Sequence, residues 1–396
     1  MRRNTLMLNE NHITVVKSTI PLLEGAGPAL TQHFYQRMFS HNPELKDIFN
    51  MTHQKTGRQS VALFEAIAAY AKNIENLSAL TQAVERIAHK HTSFNIQAEH
   101  YQIVGHHLIE TLRELAPQAF TQEVEEAWTA AYLFLAQVFI NREEEIYQSN
   151  AATHGGWRGA REFVIYKKTP ESALVTSFEL RPADGEAIAD FQPGQYLGIE
   201  VKPTQSEHVE IRQYSLSQAA NGSSYRISVK REGIHDSEDS YQGLVSHYLH
   251  NELQAGDSVM VYPPAGEFFY QVTDKPVVLI AAGVGATPIQ AMAQTLAAEG
   301  KNNVSYYYAC ESQQQHTFAH ETEALIGENG WQHQVWYRDQ DGMMDLTQLA
   351  SLPIDDGEFY LCGPVAFMEF AVKQLDAMGV ARERIHYEVF GPHAYL

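Results

Sequence analysis

The spacing of apolar residues changes twice along this chain, and each change marks a different kind of structure. From about Asn9 to Gln148, apolar residues recur every three or four positions, as they do on one face of a helix. Short runs of period two follow, such as Tyr196–Val201 and Tyr225–Lys230, and they predict a small antiparallel barrel. From about Pro276, strands alternate with helices, which predicts a parallel, doubly wound sheet.

We therefore expect a multidomain protein. The predicted limits are an all-α domain over 1–148, a linker over 149–160, an antiparallel β-barrel over 161–270 and an α/β doubly wound domain over 271–396. The linker is expected because the stretch around Trp157 is polar and contains glycine. A length of 396 residues allows each domain to bury a core of its own.

Composition excludes several classes of partner. The formal net charge is −20, which argues against nucleic acid and anionic membrane surfaces as partners. No apolar run reaches the length of a membrane span, and Arg2 and Arg3 precede too short an apolar stretch for a secretory signal. The chain has only two cysteines, which suits a reducing compartment. We expect a cytoplasmic protein without stable membrane insertion, as a monomer, with Met1 or Met7 as its start.

His91 is the candidate metal ligand of the helical third. It extends an apolar stripe through Val84 and Ile87, where a histidine is by itself more often a satisfied core residue. Glu143 on the buried face of the last helix, and Tyr101 at the start of a buried stripe, favour a ligand instead, although Glu143 at a solvated helix end is the alternative. A carboxylate that accepts the second ring N–H makes the imidazole more basic. The pattern makes His91 a candidate ligand of haem iron, with a satisfied core histidine as the alternative.

Two polar side chains of earlier helices are candidates for the opposite side of that iron. Gln59 shares a helical face with Leu63, and Tyr35 follows Phe34 on a buried stripe. A tyrosine hydroxyl and a glutamine amide both donate hydrogen bonds, which an iron-bound dioxygen with partial negative charge accepts. An ordinary buried tyrosine whose hydroxyl reaches the surface is the alternative for Tyr35.

The string Arg212-Gln213-Tyr214-Ser215 is a candidate flavin cradle at the start of a strand. Arginine offers a fork to a phosphate, tyrosine a ring to stack on isoalloxazine, and serine a hydroxyl for a flavin ring atom. It follows Pro193-Gly194-Gln195-Tyr196 and precedes a turn at Gly243-Leu244-Val245-Ser246, whose N–H groups suit a pyrophosphate. That order resembles the flavin domain of ferredoxin reductases. The acidic stretch from Gly233 to Gln242 leaves the pyrophosphate contacts open.

The string from Gly283 to Pro288 is a candidate nucleotide turn, because it follows a buried strand and opens a helix. Gly283 and Gly285 would allow a pyrophosphate to approach the backbone, Thr287 to cap the helix, and Pro288 to occupy its first turn. It lacks the third glycine of the dinucleotide fingerprint, so a turn without a ligand is the alternative.

Two later strand ends extend this candidate site. Cys362-Gly363-Pro364 ends a strand where the crevice of a doubly wound sheet would lie. Glu311 and Ser312 follow another strand with no adjacent Arg or Lys to receive a 2′-phosphate, which favours NADH over NADPH.

The whole chain resembles the flavohaemoglobins, the nitric oxide dioxygenase family. The resemblance rests on His33-Phe34-Tyr35, Ile48-Phe49-Asn50-Met51, Lys90-His91-Thr92-Ser93-Phe94 and Asn141-Arg142-Glu143, together with the flavin and nucleotide strings. It implies a globin domain, a flavin barrel and a nucleotide domain, with haem b, FAD and NADH as cofactors. It also implies individual roles: His91 as proximal ligand with Tyr101 and Glu143 behind it, Tyr35 and Gln59 as distal residues with Leu63 over the iron, Phe49 against the porphyrin, Lys90 by the propionates on the side of the flavin domain, Cys362 and Gly363 beside the nicotinamide, and Glu388 and Phe390 facing the flavin.

The resemblance further implies an electron relay from NADH through FAD to haem, where bound O2 oxidises nitric oxide to nitrate. O2 and NO would be its small-molecule partners. A haem–flavin peroxide or quinone reductase, and an oxygen-binding or sensing globin whose reductase keeps iron ferrous, are the alternatives.

Overall fold

The structure is a computed structural model that describes residues 8–49, 58–233 and 242–391, and it divides into two compact units. One unit comprises Met1–Ser149 with Glu207–Ile211, and the other comprises Asn150–Ser206 with Arg212–Leu396. Asn50 and Met51 of the globin resemblance, and the stretch 234–241 of the expected pyrophosphate segment, lie outside the described residues.

The first unit is helical, as its apolar period predicts. The side chain of Asn9 accepts a hydrogen bond from the backbone N–H of His12 at 2.7 Å and so caps the first helix. Gly27, with φ of 58°, ends the second helix in a conformation that favours glycine. The helices are α1 Glu10–Ser18, α2 Ile20–Ala26, α3 Pro28–His41, α4 Arg58–Lys72, α5 Thr81–Thr92, α6 Ala98–Leu115 and α7 Gln122–Ala152.

The barrel is a six-stranded sheet in the order β4-β3-β6-β1-β2-β5, and all of it except Glu210 and Ile211 belongs to the second unit. An antiparallel bridge from Leu216, just beyond β4, to Ile227 of β5 connects the two edge strands. Its interior is apolar and includes Phe163, Leu197 and Val261. The elements are β1 Arg161–Pro170, β2 Val175–Pro182, β3 Tyr196–Val201, β4 Glu210–Ser215, β5 Tyr225–Lys230, α8 Leu244–Asn251 and β6 Ser258–Val261.

The rest of the second unit is a parallel sheet in the order β11-β10-β7-β8-β9. The first strand of this part, β7, lies in the middle, so the strand order reverses there and creates a crevice at the carboxyl ends of the strands. The elements are β7 Val277–Ala282, α9 Ala286–Ala298, β8 Val304–Cys310, α10 Ala319–Asn329, β9 Gln332–Tyr337, α11 Arg338–Asp341, β10 Glu358–Cys362, α12 Val365–Ala377 and β11 Ile385–Glu388.

The structure corrects some details of the sequence predictions. The last helix of the first unit continues to Ala152, beyond the predicted start of the linker, and Trp157 donates to the backbone carbonyl of Val261 at 3.1 Å. The string 212–215 ends strand β4 rather than beginning a strand. Residues 244–246 begin helix α8 rather than forming a turn. Within the described ranges, no helix is both long and apolar enough to cross a membrane.

Candidate functional site

Three side chains from three helices meet around His91. Nδ1 of His91 lies 2.8 Å from Oε1 of Glu143 and 2.9 Å from the hydroxyl of Tyr101. The Tyr101 hydroxyl donates to the same carboxylate oxygen at 2.5 Å. Helices α5, α6 and α7 supply one member each, and the residues are brought together by the apolar stripes that bury them beside Phe139. The sequence prediction that these residues converge is confirmed.

The bonding pattern assigns a proton to Nδ1. Glu143 is almost fully buried, with 3% of its side chain exposed, and a buried carboxylate requires donors. Nδ1–H of His91 and the phenol of Tyr101 supply them, and burial, reinforced by Glu143, raises the pKa of Tyr101 well above its ordinary value. Nε2 of His91, on a side chain that is 33% exposed, is then left with its lone pair. That donor set fits a haem iron ligand, because ligating histidines usually pass their other N–H to an oxygen acceptor.

The distal candidates lie on the facing helices α3 and α4. The hydroxyl of Thr31 donates to the backbone carbonyl of Ser60 at 2.6 Å and joins the two helices. Tyr35 lies one turn after Thr31, and Leu63 lies about one turn after Ser60, so both point toward the same core, which contains them. Gln59 lies at i−4 from Leu63, in the first turn of α4.

Aromatic rings surround Tyr35. Its ring centroid lies 5.0 Å from that of Phe34, 5.9 Å from that of Phe39 and 5.9 Å from that of Phe49. Phe49 is therefore beside Tyr35, as expected for a residue of the same pocket. Lys90 is half-buried on α5, immediately before His91.

The flavin candidates of the barrel lie on the neighbouring strands β3 and β4. Tyr196 begins β3, Arg212, Tyr214 and Ser215 belong to β4, and a hydrogen bond of 2.9 Å from Leu216 N–H to the carbonyl of Gln195 holds these ends together. Arg212 and Tyr214 are half-buried, whereas Ser215 and Tyr196 are buried. With the period of two along a strand, Arg212 and Tyr214 share one face of β4 and Ser215 lies on the other, and the chemistry of the three residue types fits a flavin phosphate and ring.

The start of α8 differs from the expected pyrophosphate turn. The hydroxyl of Ser246 donates to the carbonyl of Gly243 at 3.0 Å and accepts from the backbone N–H of Glu232 at 3.1 Å. Val245 points into the barrel core. What remains for a phosphate is the backbone N–H groups at the first turn of the helix, which begins after Gly243.

The two glycines of the nucleotide turn have different tasks. A Cβ on Gly283 would meet no atom within 4 Å, and φ there is +54°, so this glycine permits an open turn that a phosphate could approach. A Cβ on Gly285 would lie 2.2 Å from the carbonyl oxygen of Cys362 and 2.6 Å from the backbone nitrogen of Gly363. Gly285 is therefore required for packing between two turns, which the sequence analysis did not foresee.

The expected cap at Thr287 is wrong. Helix α9 begins at Ala286, and the hydroxyl of Thr287 donates back to the carbonyl of Val284 at 2.9 Å. Thr287 and Pro288 are both buried inside the first turn. Short hydroxyl side chains often bond to nearby backbone in this way, which the sequence pattern alone does not distinguish from capping.

The remaining candidates gather at the end of β10. Cys362 is fully buried, its Sγ lies 3.6 Å from the carbonyl oxygen of Glu388, and burial raises the pKa of its thiol well above the ordinary value. Burial, with a further contribution from the charge of Glu388, also raises the pKa of Tyr196 well above its ordinary value. Phe390, just beyond β11, remains 39% exposed. A ring there is available to a planar ligand.

A cation that the sequence analysis missed lies beside Glu311. Nη1 of Arg338 is 2.9 Å from Oε1 of Glu311, and the backbone N–H of Asp339 donates to the Glu311 carbonyl at 3.1 Å. We expected Glu311 to have no cation nearby. No Arg or Lys is adjacent to it in the sequence, but Arg338 lies beside it in the fold, so the expectation is wrong. The parallel register that pairs Cys310 with Tyr337 brings the two residues together.

Comparisons with known proteins assign the helical, barrel and parallel-sheet parts of the chain to three different families. The chain matches the globin family over residues 32–139, the oxidoreductase FAD-binding domain over 162–270 and the oxidoreductase NAD-binding domain over 279–373. It is 68% identical to a flavohemoprotein of Vibrio cholerae serotype O1, over 98% of this chain and all of that protein.

Solved structures give the same result. The crystal structure of a flavohemoglobin from Malassezia yamatoensis, with bound FAD and haem, is 26% identical, with a TM-score of 0.85 over 97% of this chain and all of that one. The FAD/NAD-binding domain of a nitric oxide dioxygenase from Vibrio cholerae O1 biovar El Tor is 60% identical, with a TM-score of 0.57 over 59% of this chain and all of that one.

The class of protein follows from its three parts, which are a helical domain with a haem-type site, a flavin-binding barrel and a nucleotide-binding sheet. It is a haem- and flavin-dependent oxidoreductase. The chain belongs to the flavohemoprotein family. The predicted cofactors, haem, FAD and NAD, and the predicted fold class are confirmed.

Proposed function

We propose that this protein is a nitric oxide dioxygenase, which converts nitric oxide and O2 to nitrate with electrons from NADH. The observation that carries the proposal is the bonded group of His91, Glu143 and Tyr101, in a chain that also has FAD- and NAD-binding domains. Two NO and two O2 react with one NADH to give two nitrate ions, NAD⁺ and one proton. The similarity to a nitric oxide dioxygenase of Vibrio cholerae supports this choice.

The cofactors supply the redox chemistry: haem iron holds and activates O2, and the flavin converts the electron pair of NADH into single electrons. His91 would bind the iron through Nε2. Glu143 holds the Nδ1 proton, fixes the ring orientation together with Tyr101, and increases the electron density that the imidazole donates. A buried carboxylate that accepts from two donors is well suited to that task, because its orientation is fixed from two sides.

The side chains packed against the ring of Tyr35 are aromatic: the rings of Phe34, Phe39 and Phe49 lie around it. Tyr35 is assigned as a hydrogen-bond donor to the oxygen ligand, with Gln59 as a second donor and Leu63 as an apolar wall.

The other site assignments accompany this proposal. Arg212, Tyr214 and Ser215 would hold FAD, the turn at Gly283 would approach the pyrophosphate of the nucleotide, and Phe390 would face a planar ring. The family matches support the expected domain limits, because each match lies within one of the domains 1–148, 161–270 and 271–396.

The test is a product balance on the holoprotein with NADH, O2 and NO. We expect nitrate equal to the NO consumed and NADH consumption at half that amount. Glu143→Gln should lower NO turnover about tenfold to a hundredfold, which is the usual cost of losing such a partner. NADH-driven ferricyanide reduction should be unchanged. Glu144→Gln is the matched control, because that carboxylate accepts from Gln148 and lies off the site.

Two results would overturn the proposal. NADH oxidation that yields peroxide, or reduces a quinone, at the same rate without NO would assign the protein to the reductases. A single turnover of NO per haem, with no further nitrate, would assign it to the oxygen-binding globins.

A further inference from the structure

The carboxyl ends of three adjacent parallel strands present a carboxylate and a guanidinium in one place. Gly283 follows β7, Glu311 follows β8 and Arg338 follows β9. We call this the carboxyl edge of the sheet. In doubly wound dinucleotide folds, an acid at the end of the strand beside the glycine turn receives the ribose 2′-hydroxyl, and a nearby arginine accommodates a 2′-phosphate. Here both kinds of residue are present, and they are bonded to each other.

The bond between them is short but fully accessible. Nη1 of Arg338 and Oε1 of Glu311 are 2.9 Å apart, while 65% and 59% of the two side chains remain exposed. Exposed pairs of this kind contribute little stability, so a ligand can replace either partner. The backbone on both sides is held in place, because Asp339 N–H donates to the Glu311 carbonyl at 3.1 Å and Tyr337 N–H to the Asp341 carboxylate at 2.9 Å.

We propose that Glu311 and Arg338 together determine whether the protein binds NADH or NADPH. Glu311 is the residue that selects NADH: its charge repels a 2′-phosphate, and its carboxylate is bonded to Arg338, the neighbouring cation that could bind that phosphate. Arg338 is a latent 2′-phosphate ligand, since its planar guanidinium keeps further N–H donors when one is bonded to Glu311. The inference rests on the nucleotide-binding assignment and not on the reaction with nitric oxide.

Because the two residues act together, the expected effect of changing both differs from the sum of the effects of changing each one. Removing the carboxylate eliminates the repulsion and releases the arginine in a single step. Glu311→Gln should therefore create affinity for a 2′-phosphate, whereas Arg338→Gln should leave that affinity low. In the double variant the gain should disappear, because the released ligand is missing.

The experiment is calorimetric binding of 2′,5′-ADP and of 5′-ADP to the holoprotein, with no turnover. We expect Glu311→Gln to tighten 2′,5′-ADP about tenfold to a hundredfold, the range for a charge-assisted pair of bonds to phosphate. Affinity for 5′-ADP should change little, which also verifies an intact fold. Glu328→Gln controls for net charge, because it removes an exposed carboxylate near the carboxyl end of α10. NADP⁺ should follow the same order as 2′,5′-ADP.

Two outcomes would overturn the proposal that Glu311 and Arg338 act together. If Glu311→Gln gains no affinity for 2′,5′-ADP while it still binds 5′-ADP, Glu311 does not set the choice. If the double variant binds 2′,5′-ADP as tightly as Glu311→Gln does, Arg338 is not the phosphate ligand. A failure of nitrate production would leave both measurements unaffected, so the two proposals stand or fall separately.

Discussion

The haem-type site is built from side chains, whereas the nucleotide turn is built from backbone. His91 and Glu143 are 52 residues apart and meet through a hydrogen bond of 2.8 Å. At the nucleotide turn, Gly285 matters because it has no side chain: its missing Cβ is what allows contact with Cys362. A substitution in the first region should change chemistry and leave the fold, but a substitution in the second should disturb fold and function together.

The largest effect is expected from His91→Ala. The variant should fold, keep FAD and lose most of its haem, because alanine has no imidazole to bind the iron. Glu143 and Tyr101 then have no ring to orient. Pyridine haemochrome and extracted flavin can be measured on the same preparation. His106→Ala, an exposed histidine of α6, should keep both cofactors. Full haem content in the His91 variant would assign the ligand to another residue.

Gly285→Ala tests the other half of the comparison. One methyl group would lie 2.2 Å from the carbonyl oxygen of Cys362, so the turn and the end of β10 must separate. We expect NADH-driven flavin reduction to be nearly abolished and the melting temperature to fall, while the haem spectrum is retained. Gly327→Ala is the matched control, because a Cβ there meets nothing within 4 Å and alanine favours a helix. Normal flavin reduction by the Gly285 variant would refute the packing argument.

Tyr35→Phe should change the chemistry without changing the fold. Losing a hydrogen bond to a partly charged oxygen ligand costs about 1.5–3 kcal/mol. That corresponds to O2 release about tenfold to a hundredfold faster, with Gln59 keeping the effect near the lower limit. Tyr70→Phe controls for loss of a buried hydroxyl, since Tyr70 donates to the carbonyl of Ala131 at 2.8 Å away from the site. An unchanged O2 release rate in stopped-flow measurements would exclude Tyr35 as a donor.

The smallest effect concerns the ion pair between barrel strand β5 and helix α10. Arg226 bonds Glu321 through both terminal nitrogens, at 2.9 and 3.0 Å. Burial alone would raise the pKa of Glu321, but Arg226 lowers it below the ordinary 4.5. Its stabilisation is therefore complete above pH 4.5 and is lost as pH falls through the lower, folded-state pKa.

Glu321→Gln should lower the free energy of unfolding by about 2 kcal/mol at pH 7. The difference from the parent protein should shrink below pH 4.5. Urea unfolding followed by flavin fluorescence measures it. A difference that grows as the solution is acidified would contradict the assigned direction of the pKa.

How far the sequence predicts these sites depends on how local their causes are. The meeting of His91, Tyr101 and Glu143 follows from apolar stripes, because burying three stripes in one core leaves few other arrangements. The neighbour of Glu311 could not be predicted, since it depends on the register between β8 and β9, and β9 itself was not recognised. Ser246 and Thr287 were misjudged for a different reason: their hydroxyls bond to backbone carbonyls three residues earlier, an alternative that any short hydroxyl side chain has.

The contact between Gly285 and the turn at Cys362 and Gly363 also has an evolutionary consequence. A new side chain at position 285 would overlap three atoms of the other turn, so no neutral series of single substitutions leads away from glycine. Two segments far apart along the chain therefore constrain each other at this contact. Among descendants of this protein, we expect residue 285 to remain glycine.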